Sequence, residues 1–287
     1  MSVSLHAAHY ADAMVQLDAP IIRNDLIAEN THKVQIVAPE IAANYRPGQF
    51  VMIRLAGLQS PLIGRAFAVY DHHDDANGQP SSIDLIYIRK GALTRPLADA
   101  PVGTRICVWG PLGNGFSTTP CEKLILAVGG IGQTPMLVAG RHALHHQWAD
   151  SIEMIYGVRR ASLLAGVDDF RDAGFDVTLC TDDGSAGVAA RVPDVLQHRL
   201  EQLQAIGETD SVRVLTCGPE IMMQKVAEVC QSWEIPCEVS METPMACGIG
   251  ICFSCVAKVN QPDGGWDYKR TCVEGPIFDS KSICWDD

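Results

Sequence analysis

The sequence predicts a β plus α/β fold: an antiparallel β-barrel, then a parallel α/β domain, then a small carboxyl-terminal lobe organised by cysteines. Three observations carry this. Short strand patterns separated by Gly, Pro, Asn and Asp fill residues 20–118. Near Pro120 the pattern changes to apolar strands alternating with helical stretches. From about residue 237 periodicity fades, and Cys and Gly accumulate.

In the first region Lys33-Val34-Gln35-Ile36-Val37 alternates in polarity, and Pro47-Gly48 marks a turn before Val51–Leu55. Ile83–Ile88 and Arg105–Trp109 are further strand candidates. In the second region Lys123–Val128 reads as a buried strand. A glycine turn follows, then a helix from roughly Thr134 to Gln147 with Leu137, Gly140 and Leu144 on one face. Ile152–Tyr156, Asp176–Cys180 and Arg213–Thr216 repeat the strand signal, giving a Rossmann-like parallel sheet. The predicted domains are therefore 20–118, 119–236 and 237–287.

At 287 residues the chain has room for two domains and a third lobe. A net charge of −12 argues against nucleic acid or an anionic membrane as partner. Residues 1–20 lack a basic start followed by an apolar run, and Leu124–Gly132 is too short to span a bilayer. A cytoplasmic location is expected. There the eleven cysteines read as ligands or redox groups before disulfides. Seven are scattered and read as small buried hydrophobes.

The other four form the strongest signal. Cys247, Cys252 and Cys255 follow C-x4-C-x2-C, and Cys272 follows after a gap of sixteen residues. This is the plant-type [2Fe–2S] ligand run, in which a loop wraps the cluster and one thiolate arrives from elsewhere. Gly248 and Gly250 let the backbone approach the sulfides and direct N–H groups at them. The competing reading is a structural zinc site in a non-enzymatic binding module. Zinc pairs usually come as two short Cys-x2-Cys knuckles, unlike this spacing.

Gly130-Ile-Gly132-Gln-Thr134-Pro135 follows a strand and opens a helix, where free N–H groups and the helix dipole favour a pyrophosphate. Glycines at such turns also serve packing alone. Thr181-Asp182-Asp183-Gly184-Ser185 and Cys217-Gly218-Pro219 follow two later strands. Ligands of open α/β sheets sit at the carboxyl ends of strands, so these loops are candidates for one crevice. The plain reading of Asp182 and Asp183 is an Asp-Gly turn.

Together these motifs resemble the ferredoxin–NADP reductase superfamily and, more closely, the electron-transfer subunits of NAD-dependent dihydroorotate dehydrogenases. The resemblance runs from about residue 20 to the end. It implies that Arg65-Ala66-Phe67-Ala68 stands where that family has its flavin-binding Arg-Pro-x-Ser stretch. Ile86-Tyr87-Ile88 and Leu93-Thr94 correspond to the strand and Gly-Thr step at the FAD pyrophosphate. Pro47-Gly48-Gln49-Phe50 and Gly110–Phe116 match barrel motifs. Gly130, Gly132, Thr134, Pro135, Asp182, Asp183, Cys217, Gly218 and Pro219 match the nicotinamide loops, with Cys217 near where nicotinamide meets flavin. Met245–Gly250 and Tyr268–Cys272 match the cluster segment.

The implied cofactors are FAD, a [2Fe–2S] cluster and NAD(H). NADP(H) stays open: Asp182 and Asp183 oppose a 2′-phosphate, while Arg159-Arg160 offers the opposite charge. The implied partner is a flavin-containing catalytic subunit, an FMN dihydroorotate dehydrogenase, in a heteromeric complex. No catalytic acid or base is expected. Related small subunits serve sulfhydrogenases and ferredoxin–NADP oxidoreductases; the latter typically have Asp as first ligand, where this chain has Cys247. Ala66 and Ala68 depart from the family's Pro and Ser, so residue 68 offers no hydroxyl to the flavin. Leu93 departs from the usual Gly, and Thr243-Pro244 stands where relatives carry a basic residue. Residues 1–20 have no counterpart.

Overall fold

The computed structural model describes residues 12–57 and 61–285, so most of the unmatched amino-terminal segment lies outside the described residues. Two compact units emerge. One gathers the chain up to Gly115 with Glu242–Ala257 and Tyr268–Pro276; the other holds Phe116–Met241, Lys258–Asp267 and the chain from Ile277 on.

The first unit contains β1 (Val15–Ala28), β2 (Thr31–Val37), β3 (Phe50–Leu55), β4 (Arg65–Ala68), β5 (Asp71–Asp74), β6 (Pro80–Ile88) and β7 (Arg105–Leu112), with short helices α1 (Pro39–Asn44) and α2 (Thr94–Ala98). Their order is β4-β3-β7-β1-β2-β6-β5, with every described pairing antiparallel. The edge strands β4 and β5 are separated in sequence by only Val69 and Tyr70, so the sheet must curl to bring these two strand ends together. Val69 N–H donates to the Gln49 carbonyl (3.3 Å) and Tyr70 N–H to that of Asp84 (2.9 Å), one to each side of the seam.

Strand β1 is absent from the sequence-based expectation. Its first half pairs with β7 and its second with β2, with a register shift between Ile21 and Arg23. Val15–Ile21 alternates, with Val15, Leu17, Ala19 and Ile21 the less exposed positions, but the pattern breaks beyond it, where Ile22 and Leu26 are exposed. The second half is a strand through its pairing with β2 rather than through amphipathicity.

The second unit runs through β8 (Cys121–Gly129), α3 (Met136–His145), β9 (Ala149–Val158), α4 (Val167–Asp172), β10 (Asp176–Thr181), α5 (Val192–Ala205), β11 (Val212–Cys217), α6 (Glu220–Ser232) and β12 (Cys237–Ser240). A hairpin, β13 (Val256–Asn260) with β14 (Trp266–Arg270), and β15 (Ile277–Asp279) follow. The sheet order is β10-β9-β8-β11-β12-β15, parallel except for β15. Leu124–Val128 is buried throughout, as a central parallel strand covered by helices requires. Each buried Leu, Ile or Val among them contributes about 1.5–3 kcal/mol.

Helix α3 is shorter than its predicted span. Gly130–Gln133 forms a 3₁₀ turn, Pro135 takes the N-cap, and Gln147 leaves the helix at φ +57°. Gly140 faces the Phe175 ring, into which a Cβ would run. Among the described residues no helix is long and apolar enough to cross a membrane.

Candidate functional site

The cysteine segment is seated on the barrel strands. Cys255 and Cys272 are fully buried and pack with Phe50 and Met52 of β3, Leu112 of β7 and Val273; Ala66 and Trp109 join the same apolar cluster. Cys247 is half-buried and Cys252 exposed. The thiols stand as two pairs. Cys252 is hydrogen-bonded to Ser254 and to Cys247, and Cys255 to Cys272. The Ser254 hydroxyl, 3.2 Å away, is the main cause that brings Cys252 down to about 6. The Cys272 thiol does the same for Cys255, to about 6, so Cys255 gives up its proton early and Cys272 keeps its own. Thiolates are the form that ligates iron.

These residues fit a two-iron cluster. Among the described residues no three His, Cys, Asp or Glu side chains converge on a single ion. Two irons call instead for two thiolates each, and the pairs Cys247/Cys252 and Cys255/Cys272 offer that division. The loop between them is packed closely against side chains. Gly248 (φ +74°) would place a Cβ 2.7 Å from Met52 Cγ, and Gly250 (φ +79°) 2.6 Å from Val273 Cγ2. Ile249 N–H donates to Cys247 Sγ at 3.4 Å, so a backbone amide already faces sulfur.

A bracket that sequence reasoning missed holds the loop. Arg270 donates to the Gly250 carbonyl (3.0 Å) and pairs with Glu274 at 3.0 Å, both largely buried. Its guanidinium lies 5.0 Å over the ring of Phe253, which adopts φ +55°. The i, i+4 spacing of opposite charges around Cys272 was the available signal. Gln49, in the Pro47–Phe50 turn, is a second tie. Its amide is buried, accepts from Arg46 N–H (2.8 Å) and donates to Gly113 O (2.7 Å), and Asn114 N–H donates to Gly275 O (2.6 Å). Gln49 thus fixes the turn to Gly113, and the neighbouring Asn114 ties that strand end to the segment after Cys272.

Along the barrel edge, Arg65 is exposed and its guanidinium folds back on the carbonyls of Ile63 (3.1 Å) and Gly64 (3.0 Å). Ala66, Phe67 and Ala68 are half-buried, with Phe67 edge-on to Tyr87 at 6.2 Å. Ile86, Tyr87 and Leu93 are buried, whereas Ile88 is half-buried. The Tyr87 hydroxyl is already committed to Asn24 (2.9 Å). The Thr94 hydroxyl accepts N–H groups from Lys90 (3.0 Å) and Gly91 (2.9 Å), closing a tight turn.

In the α/β unit, the strand order reverses at β8, which puts its carboxyl end beside that of β11. The two loops interlock through glycines. A Cβ on Gly132 would run into the Cys217 carbonyl, and one on Gly129 would stand 3.0 Å from Pro219 Cδ. Gly130 takes φ +57°, Thr134 is half-buried and Pro135 buried. This is the crevice position of open α/β sheets. Gln133 is wholly buried with both amide atoms unpartnered, and the Thr216 hydroxyl is buried and unpartnered too.

The Asp182–Ser185 loop is not part of that interlock but is tied to the loop after β9. Asp182 N–H donates to Val158 O (3.1 Å), Asp183 N–H to Arg159 O (3.3 Å) and Ala161 N–H to Ser185 Oγ (2.7 Å). Asp182 and Asp183 are both exposed, and the Asp183 carboxylate is held low by the Ser185 hydroxyl and then by its N–H.

The family model for the iron-sulfur cluster binding domain of dihydroorotate dehydrogenase B matches residues 242–284. The electron transfer subunit of dihydroorotate dehydrogenase B (NAD(+)) from Desulforamulus reducens is 30% identical over 271 residues, 94% of this chain and 98% of that protein. The subunit of the same name from Geobacillus kaustophilus is 32% identical, covering 88% and 92%; that from Clostridium acetobutylicum is 34% identical, covering 81% and 84%. A solved NADH-dependent reduced ferredoxin-NADP oxidoreductase superposes with a TM-score of 0.77 at 26% identity, over 94% of this chain and 90% of that one. The ferredoxin NADP+ reductase of Neisseria gonorrhoeae, at 18% identity and a TM-score of 0.61 over 77% of this chain and 92% of its own, shares the fold. Relatives at this identity, covered over nearly their whole length, leave one conclusion: the chain belongs to the family of dihydroorotate dehydrogenase B (NAD(+)) electron transfer subunits.

Proposed function

We propose that the chain carries electrons between NAD(H), FAD and a [2Fe–2S] cluster, to or from the FMN-containing catalytic subunit of a dihydroorotate dehydrogenase, in a heteromeric complex serving pyrimidine synthesis. The observation that carries this reading is the seating of Cys255 and Cys272 in one apolar cluster with Phe50, Met52 and Leu112 of β3 and β7 and with Ala66 of the Arg65–Ala68 strand, while the Cys247 carbonyl accepts from Trp109 of β7. When bound, such groups supply two-electron hydride exchange at the flavin and one-electron exchange at the cluster.

The chain's own residues then bind and orient. Cys247 and Cys252 would hold one iron, Cys255 and Cys272 the other. Arg65, Ala66, Phe67, Ala68, Ile86, Tyr87, Ile88, Leu93 and Thr94 would line the FAD, with Ile86 and Tyr87 contributing through backbone because their side chains face inward. Arg65 would leave its carbonyl partners to meet phosphate. Gly130, Gly132, Thr134, Pro135, Cys217, Gly218 and Pro219 would receive the dinucleotide, and Asp182 would oppose a 2′-phosphate, favouring NAD(H). Residues 20–118, 119–236 and 237–287 would divide these tasks in a cytoplasmic protein.

Anaerobic NADH titration followed by visible absorbance and low-temperature electron paramagnetic resonance tests the reading. It requires bleaching of a flavin band and a rhombic [2Fe–2S]⁺ signal; a colourless zinc protein silent to NADH would refute it. The likeness to the NADH-dependent ferredoxin-NADP oxidoreductase favours one second reading, a subunit of another NAD(P)H-linked complex. Reconstitution with a dihydroorotate-oxidising partner separates the two.

A further inference from the structure

Trp109 lies where the proposed flavin strand and the cluster loop meet. Its place follows from register: Ala66 of β4 stands opposite Met52 of β3, and Met52 stands opposite Trp109 of β7. Opposed residues share a sheet face, so this row runs straight from the Arg65–Ala68 strand to Trp109. The same face carries the cysteine segment, because Ala66, Met52 and Trp109 belong to one apolar cluster with Cys255 and Cys272.

Two contacts fix the indole. On one side the Trp109 ring fills the space in front of Gly64, where a Cβ would run into Cη2 and stand 3.1 Å from Cζ2. On the other its single donor, Nε1–H, is given to the main-chain carbonyl of Cys247 at 3.1 Å. That carbonyl belongs to the peptide joining the first cluster cysteine to Gly248. A trans peptide is planar with C=O and N–H on opposite sides, so holding the carbonyl toward the indole turns the Gly248 N–H away from it. The next amide, Ile249 N–H, already points at Cys247 Sγ.

We infer that Trp109 is a positioning residue for the cluster: it locks the Cys247–Gly248 peptide and sets the cluster loop's place relative to the Gly64–Ala68 strand. The inference rests on the proposed function, since it needs a cluster in the loop. Amide N–H groups aimed at cluster sulfur stabilise the reduced state. A loosened peptide therefore lowers the cluster's potential, while leaving the four thiolates in place.

The test uses the purified holo-chain and two variants, Trp109→Phe, which keeps a ring and removes the donor, and Gly64→Ala, which pushes the indole while keeping it. Iron and acid-labile sulfide are measured per chain, then the cluster's midpoint potential and paramagnetic g values, with the flavin potential of Trp109→Phe as internal reference. The expected result is a full complement of iron with a lower cluster potential and altered g values in Trp109→Phe, the flavin potential staying put, and altered g values in Gly64→Ala. If Trp109→Phe fails to load iron, Gly64→Ala decides alone. Wild-type potential and g values in the variants that load overturn the inference. A wild-type chain that assembles no cluster overturns the proposed function and this inference together, so the two failures are distinguishable.

Discussion

Arg199 of α5 grips the carboxylate of Glu153 in β9 with two parallel hydrogen bonds of 2.7 Å, and Lys123 of β8 meets the same carboxylate at 2.9 Å. Two central strands and a covering helix are thereby joined through one nearly buried acid, whose side chain is 11% exposed. Burial alone would push the Glu153 carboxyl up. The hydrogen bonds from Arg199 and Lys123 outweigh it and leave the group below its ordinary range.

Removing the grip is expected to weaken the α/β unit. Arg199→Met should cost about 1.5–3 kcal/mol, the range for hydrogen bonds to charged groups, seen as a lower midpoint in urea. The sign with pH follows from the lowered value. Stability from Glu153 is complete above its unfolded pKa and is lost as pH falls through the folded one. The wild type should therefore lose more stability than Arg199→Met on going from neutral pH into the range below about 4.5. Parallel pH profiles for the two would refute the assignment.

His73 predicts the opposite slope in the barrel. Its Nε2 lies 2.9 Å from the buried Asp84 carboxylate, and that hydrogen bond, ahead of the opposing effect of burial, raises its pKa. The contribution is complete below about 6.5 and disappears as pH rises through the folded value. Because the His73 side chain is 43% exposed, the effect is small, about 0.2–1 kcal/mol. Nuclear magnetic resonance titration should place the His73 midpoint above that of His73 in the unfolded chain, and His73→Gln should flatten stability between pH 6 and 8.

Gly248→Ala and Gly250→Ala should each impair cluster assembly. Both positions require positive φ, which costs other residues about 1–3 kcal/mol, and both lack room for a Cβ beside Met52 or Val273. The measurement is iron per chain with visible absorbance, the flavin band serving as control. Full loading in either variant would show that the cradle is looser than its contacts imply.

Gly132→Ala should weaken dinucleotide binding without removing flavin or iron. The new methyl would displace the Cys217 carbonyl and separate two interlocked loops. A KM for NADH raised by about tenfold or more corresponds to at least ~1.4 kcal/mol of binding. An unchanged KM would place the nicotinamide elsewhere.

The sequence by itself determined the fold class and marked the four candidate cluster cysteines. Strand alternation, the shift to a parallel-sheet pattern after Pro120 and the C-x4-C-x2-C run are local, because side-chain period and ligand spacing are written in neighbouring residues. Tertiary structure alone decided what depends on distant partners. Strand β1 exists because β7 and β2 pair with it, and the sheet curls because Gln49 and Asp84 receive Val69 and Tyr70 at the corner between its edge strands. Cys237–Ser240 and Ile277–Asp279 join the α/β sheet, while the cysteines between them settle on the barrel. Trp109 meets Cys247 across 138 residues. No periodicity reports such a contact, since it is set by sheet register and by the absence of a side chain at Gly64.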